Sequence, residues 1–368
     1  MSFELSVITS SQTLKHTSSS WESFRQQQND NSICNSWDWL ATWIEVFLRS
    51  KDQLYIHIWY FEQEIIGIIP CYLKKVIVGN ELRFIGTGEA IKSEVCSEFQ
   101  DFLITPIFKE KILKQFTDIV LANKSISAIS LENILTISNA YLWLENTSIS
   151  IGKKQCEHIG NRYIIPVQQE QIKQISSFKS NNIRRHAKKT LLDTRWHVTV
   201  VNEAVDLKKF YATLIMEHNH GWNKRGKIGA FEQADFVKFH QIYSKKALEN
   251  NKLIAFKIEC KDELSALFYG MLDGNILYYY QSAVNHESQL SSAGVAMHIT
   301  ALKIAAERGL DFYDLMKGNH SSYKIQYIKN DIPVVHYSIY TLRYKVVKYF
   351  YTVSQKLMNK LMNKLMNK

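Results

Sequence analysis

Ile276-Leu277-Tyr278-Tyr279-Tyr280-Gln281-Ser282 is followed by Ser291-Ser292-Ala293-Gly294, by the segment Val295 to Gly309, and by Leu310-Asp311-Phe312-Tyr313-Asp314-Leu315-Met316. The first run is apolar and aromatic and predicts a buried strand. Ser291 to Gly294 is a turn of small residues. Beyond it, Val295, Ile299, Leu302 and Ala306 recur at three- and four-residue spacing, which predicts a helix with Gly309 as its stop. Leu310 to Met316 predicts a second strand. Strand, turn, helix and strand make a βαβ unit, whose helix start presents N–H groups without intrahelical acceptors beyond the strand ends. Such a turn suits a pyrophosphate, because the dipole favours an anion and Gly294 admits a ligand close to the backbone. The plain alternative is a strand-to-helix connection with small residues for packing.

Length and composition bound what surrounds this unit. A chain of 368 residues, 46% apolar and 22% charged, is globular and long enough for two domains. No apolar run reaches the roughly 18 residues that span a bilayer. Met1 to Lys15 lack the basic start and apolar stretch of a signal peptide, so a cytoplasmic location is expected. Cys34, Cys71, Cys96, Cys156 and Cys260 are scattered, without C-x-x-C, which predicts reduced thiols and no zinc site. His218-Asn219-His220 lacks further ligands at metal spacing, so no metal is expected. The net charge of +10 favours anionic partners such as coenzyme A, nucleotide-linked sugars, tRNA or an anionic membrane surface.

Upstream, Glu4 to Thr9 predicts a strand and Trp21 starts a helix. Ser36 caps an amphipathic helix with Trp39, Trp43, Val46 and Phe47 inward. Strands are expected at Leu54 to Phe61, Ile65 to Lys74, Leu82 to Ile85, Phe99 to Ile104 and Ala128 to Glu132, with a helix at Phe108 to Ala122. The domain boundary is placed between Gly160 and Gln174. After it come a basic helix at Phe178 to Leu192, a strand at His197 to Asn202, and a helix from Asp206 through His218, with His218, His220 and Trp222 in a loop or helix end. The five Lys/Arg between Lys179 and Lys189 suit phosphate contact or, more plainly, a solvated face. Thr341 to Lys368 predicts a basic helical segment closing on Leu-Met-Asn-Lys from Leu357, Leu361 and Leu365, able to touch a membrane peripherally or to fray.

The order of short motifs resembles the GNAT-type N-acyltransferase superfamily, and within it the CelD-like branch of polysaccharide gene clusters, related to FemAB-type aminoacyl transferases. The matching residues are Tyr278 to Ala283, Ser292-Ala293-Gly294, Gly309 to Asp314, Lys317-Gly318 and Tyr323-Lys324, with Trp222 to Gly226, Ser36 to Trp43 and Leu82 to Gly88 upstream. The superfamily's Q/R-x-x-G-x-G/A loop stands here as Gln289-Leu290-Ser291-Ser292-Ala293-Gly294. The resemblance implies an α/β (α+β) fold of two tandem GNAT-like domains, each a mixed twisted sheet flanked by helices. The expected division is 1–165 as a degenerate GNAT-like domain, 166–345 as the acyltransferase domain, and 346–368 as the basic tail.

It also implies acetyl-CoA or another acyl-CoA as co-substrate and an amine acceptor, such as an amino sugar of surface polysaccharide. Aminoacyl transfer from charged tRNA and non-catalytic binding on the same fold are the alternatives; DNA is not expected as a partner. Acyl transfer needs donors for the oxyanion, a base for the amine and mutual positioning. Gln281, Ser282, Ser291, Ser292, Ala293, Gly294 and Val295 are the expected coenzyme contacts. Asp314, Tyr323 and His218 are candidates for the base, and Lys324 for oxyanion or phosphate stabilisation. Trp222, Arg225 and Lys317 are expected at the acceptor. For Asp314 the plain alternative is a strand-end carboxylate capping a turn.

Overall fold

A computed structural model describes residues 2–28, 32–146, 151–319, 321–328, 331–350 and 354 of the chain. In chain order its first part holds β1 (Phe3–Ile8), α1 (Ser11–Leu14), α2 (Ser18–Gln26), α3 (Trp37–Phe47), β2 (Gln53–Phe61), β3 (Glu64–Lys75), β4 (Asn80–Phe84), β5 (Leu103–Ile104), α4 (Lys109–Ala122), β6 (Ile126–Leu135), α5 (Asn139–Asn146) and β7 (Lys153–Pro166). The second part holds α6 (Gln171–Ser177), α7 (Asn181–Leu192), β8 (Trp196–Val200), α8 (Ala204–Asn223), α9 (Ala234–Glu249), β9 (Leu253–Cys260), β10 (Glu263–Asp273), β11 (Ile276–Val284), α10 (Ala293–Glu307), β12 (Phe312–Gly318) and β13 (Ile332–Tyr340). Residues 342–350 are helical. The Leu-Met-Asn-Lys repeats lie outside the described residues.

The strands form one mixed sheet, flanked by helices, in the order β1-β2-β3-β4-β6-β13-β7-β12-β11-β10-β9-β8, with β5 on β3. Read inward from either edge, the pattern is the same. β1, β2, β3 and β4 are successively antiparallel and β4 pairs with β6 in parallel; β8, β9, β10 and β11 are successively antiparallel and β11 pairs with β12 in parallel. The closing strands are exchanged at the middle. β7 leaves the first run to pair with β12, and β13 leaves the second to pair with β6, while β7 and β13 pair with each other. The sheet therefore runs unbroken past residue 166.

Local chemistry explains the principal elements. Ser36 Oγ accepts the Trp39 N–H at the start of α3, and Trp39 and Trp43 are buried on its inner face. Glu62 and Gln63 take positive φ to close the β2–β3 hairpin. Gly309 follows α10 at φ +68°, a left-handed position that a glycine adopts without strain. The expected strand at Phe99 to Ile104 shrinks to the two residues of β5, because Phe99 N–H and the Gln100 side chain bond to Asn133, Ile85 and Cys34 instead of to a strand partner.

The βαβ unit forms as expected from β11, α10 and β12. The helix is buried nearly all round and not on one face alone: Ala296, Met297, His298, Ile299, Thr300, Ala301, Leu302 and Ala305 are all covered. Its small side chains let it lie against β10, β11 and β12 while α7 packs over it. Alternation along β11 sends Tyr278 and Tyr280 toward Trp39 and His240 between α3 and α9, and Tyr279 toward His298 on α10. The two halves share the first of these cores. Arg25 on α2 reinforces the seam, with two 2.6 Å bonds to Asp273 at the end of β10 and another to Glu22.

Candidate functional site

Parallel pairing of β11 with β12 covers only Ile276 to Tyr278 against Phe312 to Asp314. Past that point the strands diverge. β12 bends through a register shift between Asp314 and Lys317, with Met316 at φ 62°, and β11 bulges against β10 at Tyr280. The divergence frees the β12-facing edge of Tyr279 to Val284.

Asp314 stands at the point of divergence. It is completely buried: Oδ2 accepts from Arg162 Nε at 2.7 Å and Oδ1 from the Met316 N–H at 2.7 Å. Its carboxylate clamps β12 to β7 and shapes the bend. It does not line the cleft that opens above, so the expected base is instead a buried ion-pair partner.

That cleft holds about 750 Å³. It brings together His218, Trp222, Arg225, Gln281, Ser282, Ser291, Ser292, Ala293, Gly294, Val295 and Tyr323, all expected from the sequence. At its mouth Ser292 holds φ 74° as the residue before α10, and its hydroxyl lies 2.7 Å from His186 Nδ1 on α7. Val295 and Ala296 donate back to the Ser292 carbonyl, whereas the N–H groups of Ala293 and Gly294 meet no backbone acceptor among the described residues. A Cβ on Gly294 would meet only Val284, at 3.9 Å. The backbone there is open toward the cleft, as an anion site requires.

Lys317 and Lys324 do not line it. Lys317 reaches the first half of the chain, its N–H donating to Glu98 Oε2 at 2.7 Å and its ammonium to Asn133. Lys324 Nζ donates to the Lys317 carbonyl at 2.7 Å and lies 5.7 Å from the Tyr279 ring, and burial lowers its pKa. His218 and Trp222 lie on one continuous helix, α8, not in a loop. At four-residue spacing the Trp222 indole donates to His218 Nε2 at 3.0 Å, occupying the lone pair a base would use. Burial also lowers the His218 pKa.

His298, Tyr279, Tyr327 and His186 were not singled out by the sequence, yet all four line the cleft. His298 is central. Its Nδ1 lies 2.8 Å from the Tyr313 hydroxyl and its Nε2 3.2 Å from that of Tyr323. Burial, aided by the Lys324 charge, pushes its pKa down to about 3, so the imidazole is neutral at physiological pH. Tyr323 is 43% exposed, but its hydroxyl turns inward to His298. The Tyr279 ring packs edge-on against His298 with centroids 5.1 Å apart, and its hydroxyl lies 2.5 Å from Ser282 Oγ. The available signal was a histidine inside the apolar run Val295 to Ile299.

The equivalent divergence in the first half, between β4 and β6, is filled by the chain itself. Phe99 N–H bonds to the Asn133 carbonyl, Gln100 Nε2 to the carbonyls of Ile85 and Cys34, and Phe102 is buried against Phe84.

Residues 177–325 match the family model of the acetyltransferase (GNAT) domain. The matched segment runs from just before α7 into the Tyr323–Gln326 turn and contains most of the cleft wall, with Gln326 and Tyr327 just beyond it. No curated protein matches the chain. Among solved structures, FemX aligns with a TM-score of 0.57 at 14% identity, covering 87% of this chain and 91% of its own. L-PGS from Bacillus licheniformis aligns at 0.51 and 11%, covering 90% and 94%. A tandem GNAT protein from the clavulanic acid biosynthesis pathway aligns at 0.50 and 6%, covering 91% and 98%. At these identities the likeness is one of fold. Among the described residues no group of three or more His, Cys, Asp or Glu could hold a metal, and no helix is long and apolar enough to cross a membrane.

Two outcomes are expected from this geometry. Asp314→Ala removes the buried carboxylate that Arg162 Nε and the Met316 N–H share, and lowers stability by about 3–5 kcal/mol in chemical denaturation; a change below about 1 kcal/mol would contradict the clamp. For His298, the unfolded chain takes up a proton near pH 6.5 while the folded imidazole does so only near 3, so its burial loses stabilising effect as pH falls through that window. A histidine NMR titration is expected to show His298 unchanged from pH 8 to pH 5.

Proposed function

We propose that the chain is an N-acyltransferase that moves an acyl group, acetyl in the simplest case, from acyl-coenzyme A to an amine, with amino sugars of surface polysaccharide as the acceptor class. The observation that carries this reading is the diverging β11–β12 pair with the N–H groups of Ala293 and Gly294 facing the same cleft. Acyl-coenzyme A supplies an acyl group already activated as a thioester. The N–H groups of Ala293 and Gly294 would hold its pyrophosphate, with Ser291 and Ser292 alongside. The unpaired edge of β11 at Tyr279 to Ser282 would orient the acyl carbonyl by main-chain hydrogen bonds.

Proton movement falls to Tyr323 and His298. A neutral imidazole is donor at one nitrogen and acceptor at the other. Tyr313, His298 and Tyr323 therefore form a chain able to deliver a proton through the Tyr323 hydroxyl and take one back at Nε2. Trp222 and Arg225, with the guanidinium 5.0 Å from the indole ring, would meet the acceptor on the α8 side. His218 then orients Trp222, and Lys324 supplies a fixed positive charge behind Tyr279.

A second reading, aminoacyl transfer from charged tRNA, is favoured by α7. Arg184, Arg185, Lys188 and Lys189 lie on the helix whose Asn182, Ile183 and His186 edge the cleft. The same assay separates the two readings.

Acetyl-CoA, longer acyl-CoAs or free coenzyme A should raise the thermal midpoint, since a ligand at about a hundredfold excess over its Kd adds about 2.7 kcal/mol. Gly294→Trp should abolish the shift while leaving the ligand-free midpoint near that of the wild type; no shift with any of the three would direct the search to charged tRNA. Tyr323→Phe is expected to lower kcat by about a hundredfold with little change in KM for the acyl donor. Unchanged kcat would remove Tyr323 from the proton path.

A further inference from the structure

Far from the cleft lining, residues 342–350 leave β13 as a helix that borders the β3–β4 hairpin. Its inner face is fixed. Tyr344, 6% exposed, stacks on Tyr340 with centroids 5.4 Å apart and reaches Glu81 through its hydroxyl at 3.4 Å. Lys348 lies over both rings, at 5.1 and 5.4 Å. The outer face is apolar and bare: Leu342 is 78% exposed, Val346 45%, Tyr349 66% and Phe350 65%.

At about 100° per residue these four side chains fall in one sector of roughly 100°, and the exposed Arg343 and Lys345 border it on either side. The neighbouring hairpin tip carries Ile77, also 65% exposed. Between tip and helix runs a groove of about 610 Å³, lined by Lys51, Lys74, Lys75 and Lys348, with Arg83 buried there in ion pairs to Glu81 and Glu132. The helix turns Tyr344, Val347 and Lys348 to this groove and the apolar stripe away from it, so the cations that rim the stripe are Arg343 and Lys345.

A contiguous apolar patch rimmed by one sign of charge marks a contact surface. A second copy of this chain is a poor occupant, because a two-fold contact sets each patch against its like and would oppose the same cations. An anionic bilayer meets both the stripe and its rim: the headgroup–acyl boundary accepts Leu342, Val346, Tyr349 and Phe350, and the phosphates accept Arg343 and Lys345. The sequence beyond residue 350 continues the theme, with Lys360, Lys364 and Lys368 spaced among Leu and Met. We propose that this face rests on an anionic membrane surface. The inference is independent of the acyltransferase reading, since none of these residues lines the cleft.

The test is co-sedimentation of the full chain with vesicles of phosphatidylcholine, with and without phosphatidylglycerol. Partitioning to the anionic vesicles is expected, reduced at least about tenfold without phosphatidylglycerol. Leu342→Glu with Val346→Glu should reduce it as much, and so should Arg343→Gln with Lys345→Gln. All four positions are exposed, so thermal unfolding of the variants should match that of the wild type. The proposal is overturned by failure to bind anionic vesicles, by binding that the Leu342→Glu/Val346→Glu pair leaves unchanged, or by a solution dimer that this pair dissociates.

Discussion

The divergence of β11 from β12 is the constraint on which the rest of the molecule depends. A parallel pair that stayed in register would bury its hydrogen bonds and leave α10 facing a closed sheet. Instead pairing ends at Tyr278 and Asp314, and a buried ion pair holds the departing strand. Arg162 and Asp314 are 1% and 0% exposed as side chains, so the pair is held entirely away from water, where breaking it is costly. The pair ties the site to β7, which the first half of the chain supplies. The cleft of the second half is thus shaped by a residue of the first.

Above the divergence, polar groups are arranged by desolvation more than by opposing charge. His298 is neutral because burial disfavours its ion, and the same burial raises the pKa values of Tyr279, Tyr313, Tyr323 and Tyr327. A set of neutral hydroxyls around a neutral imidazole can pass a proton along without carrying net charge into the interior. In the first half the same fold turns the space to another use. Phe99, Gln100 and Phe102 fill the corresponding opening, so one divergence became a cleft and the other a core.

Much of this was legible in the sequence because it is written locally. The small-residue turn, the spacing of Val295 to Ala306 and the stop at Gly309 define the βαβ unit, and the residues from Gln281 to Val295 come together at the cleft mouth. What escaped depends on distant partners. β7 opens on Lys153-Lys154-Gln155, polar residues that give no strand periodicity, and it becomes a strand because β13 and β12 lie on either side of it. Of the two placements open for His218 and Trp222, a loop or a helix end, α8 takes the second, running through His218 and on to Asn223. Asp314 looked like an accessible strand-end acid since nothing near it in sequence announces Arg162, 152 positions away. His298 was hidden by its surroundings: a histidine among alanine, methionine and isoleucine reads as core, and only the arrival of Tyr313 and Tyr323 gives it partners.

The exchange of β7 and β13 also orders events during synthesis. β6 emerges from the ribosome about 200 residues before the strand that will cover its free edge. Until residues 332–340 follow, β6 and one edge of β7 present unpaired backbone to solvent or to other chains. The middle of the sheet closes last, through contacts of very long sequence separation, which slows folding. A nascent chain of this kind carries an open strand edge for more than half of its length, and holdase chaperones that mask strand edges would act on it well before the cleft exists.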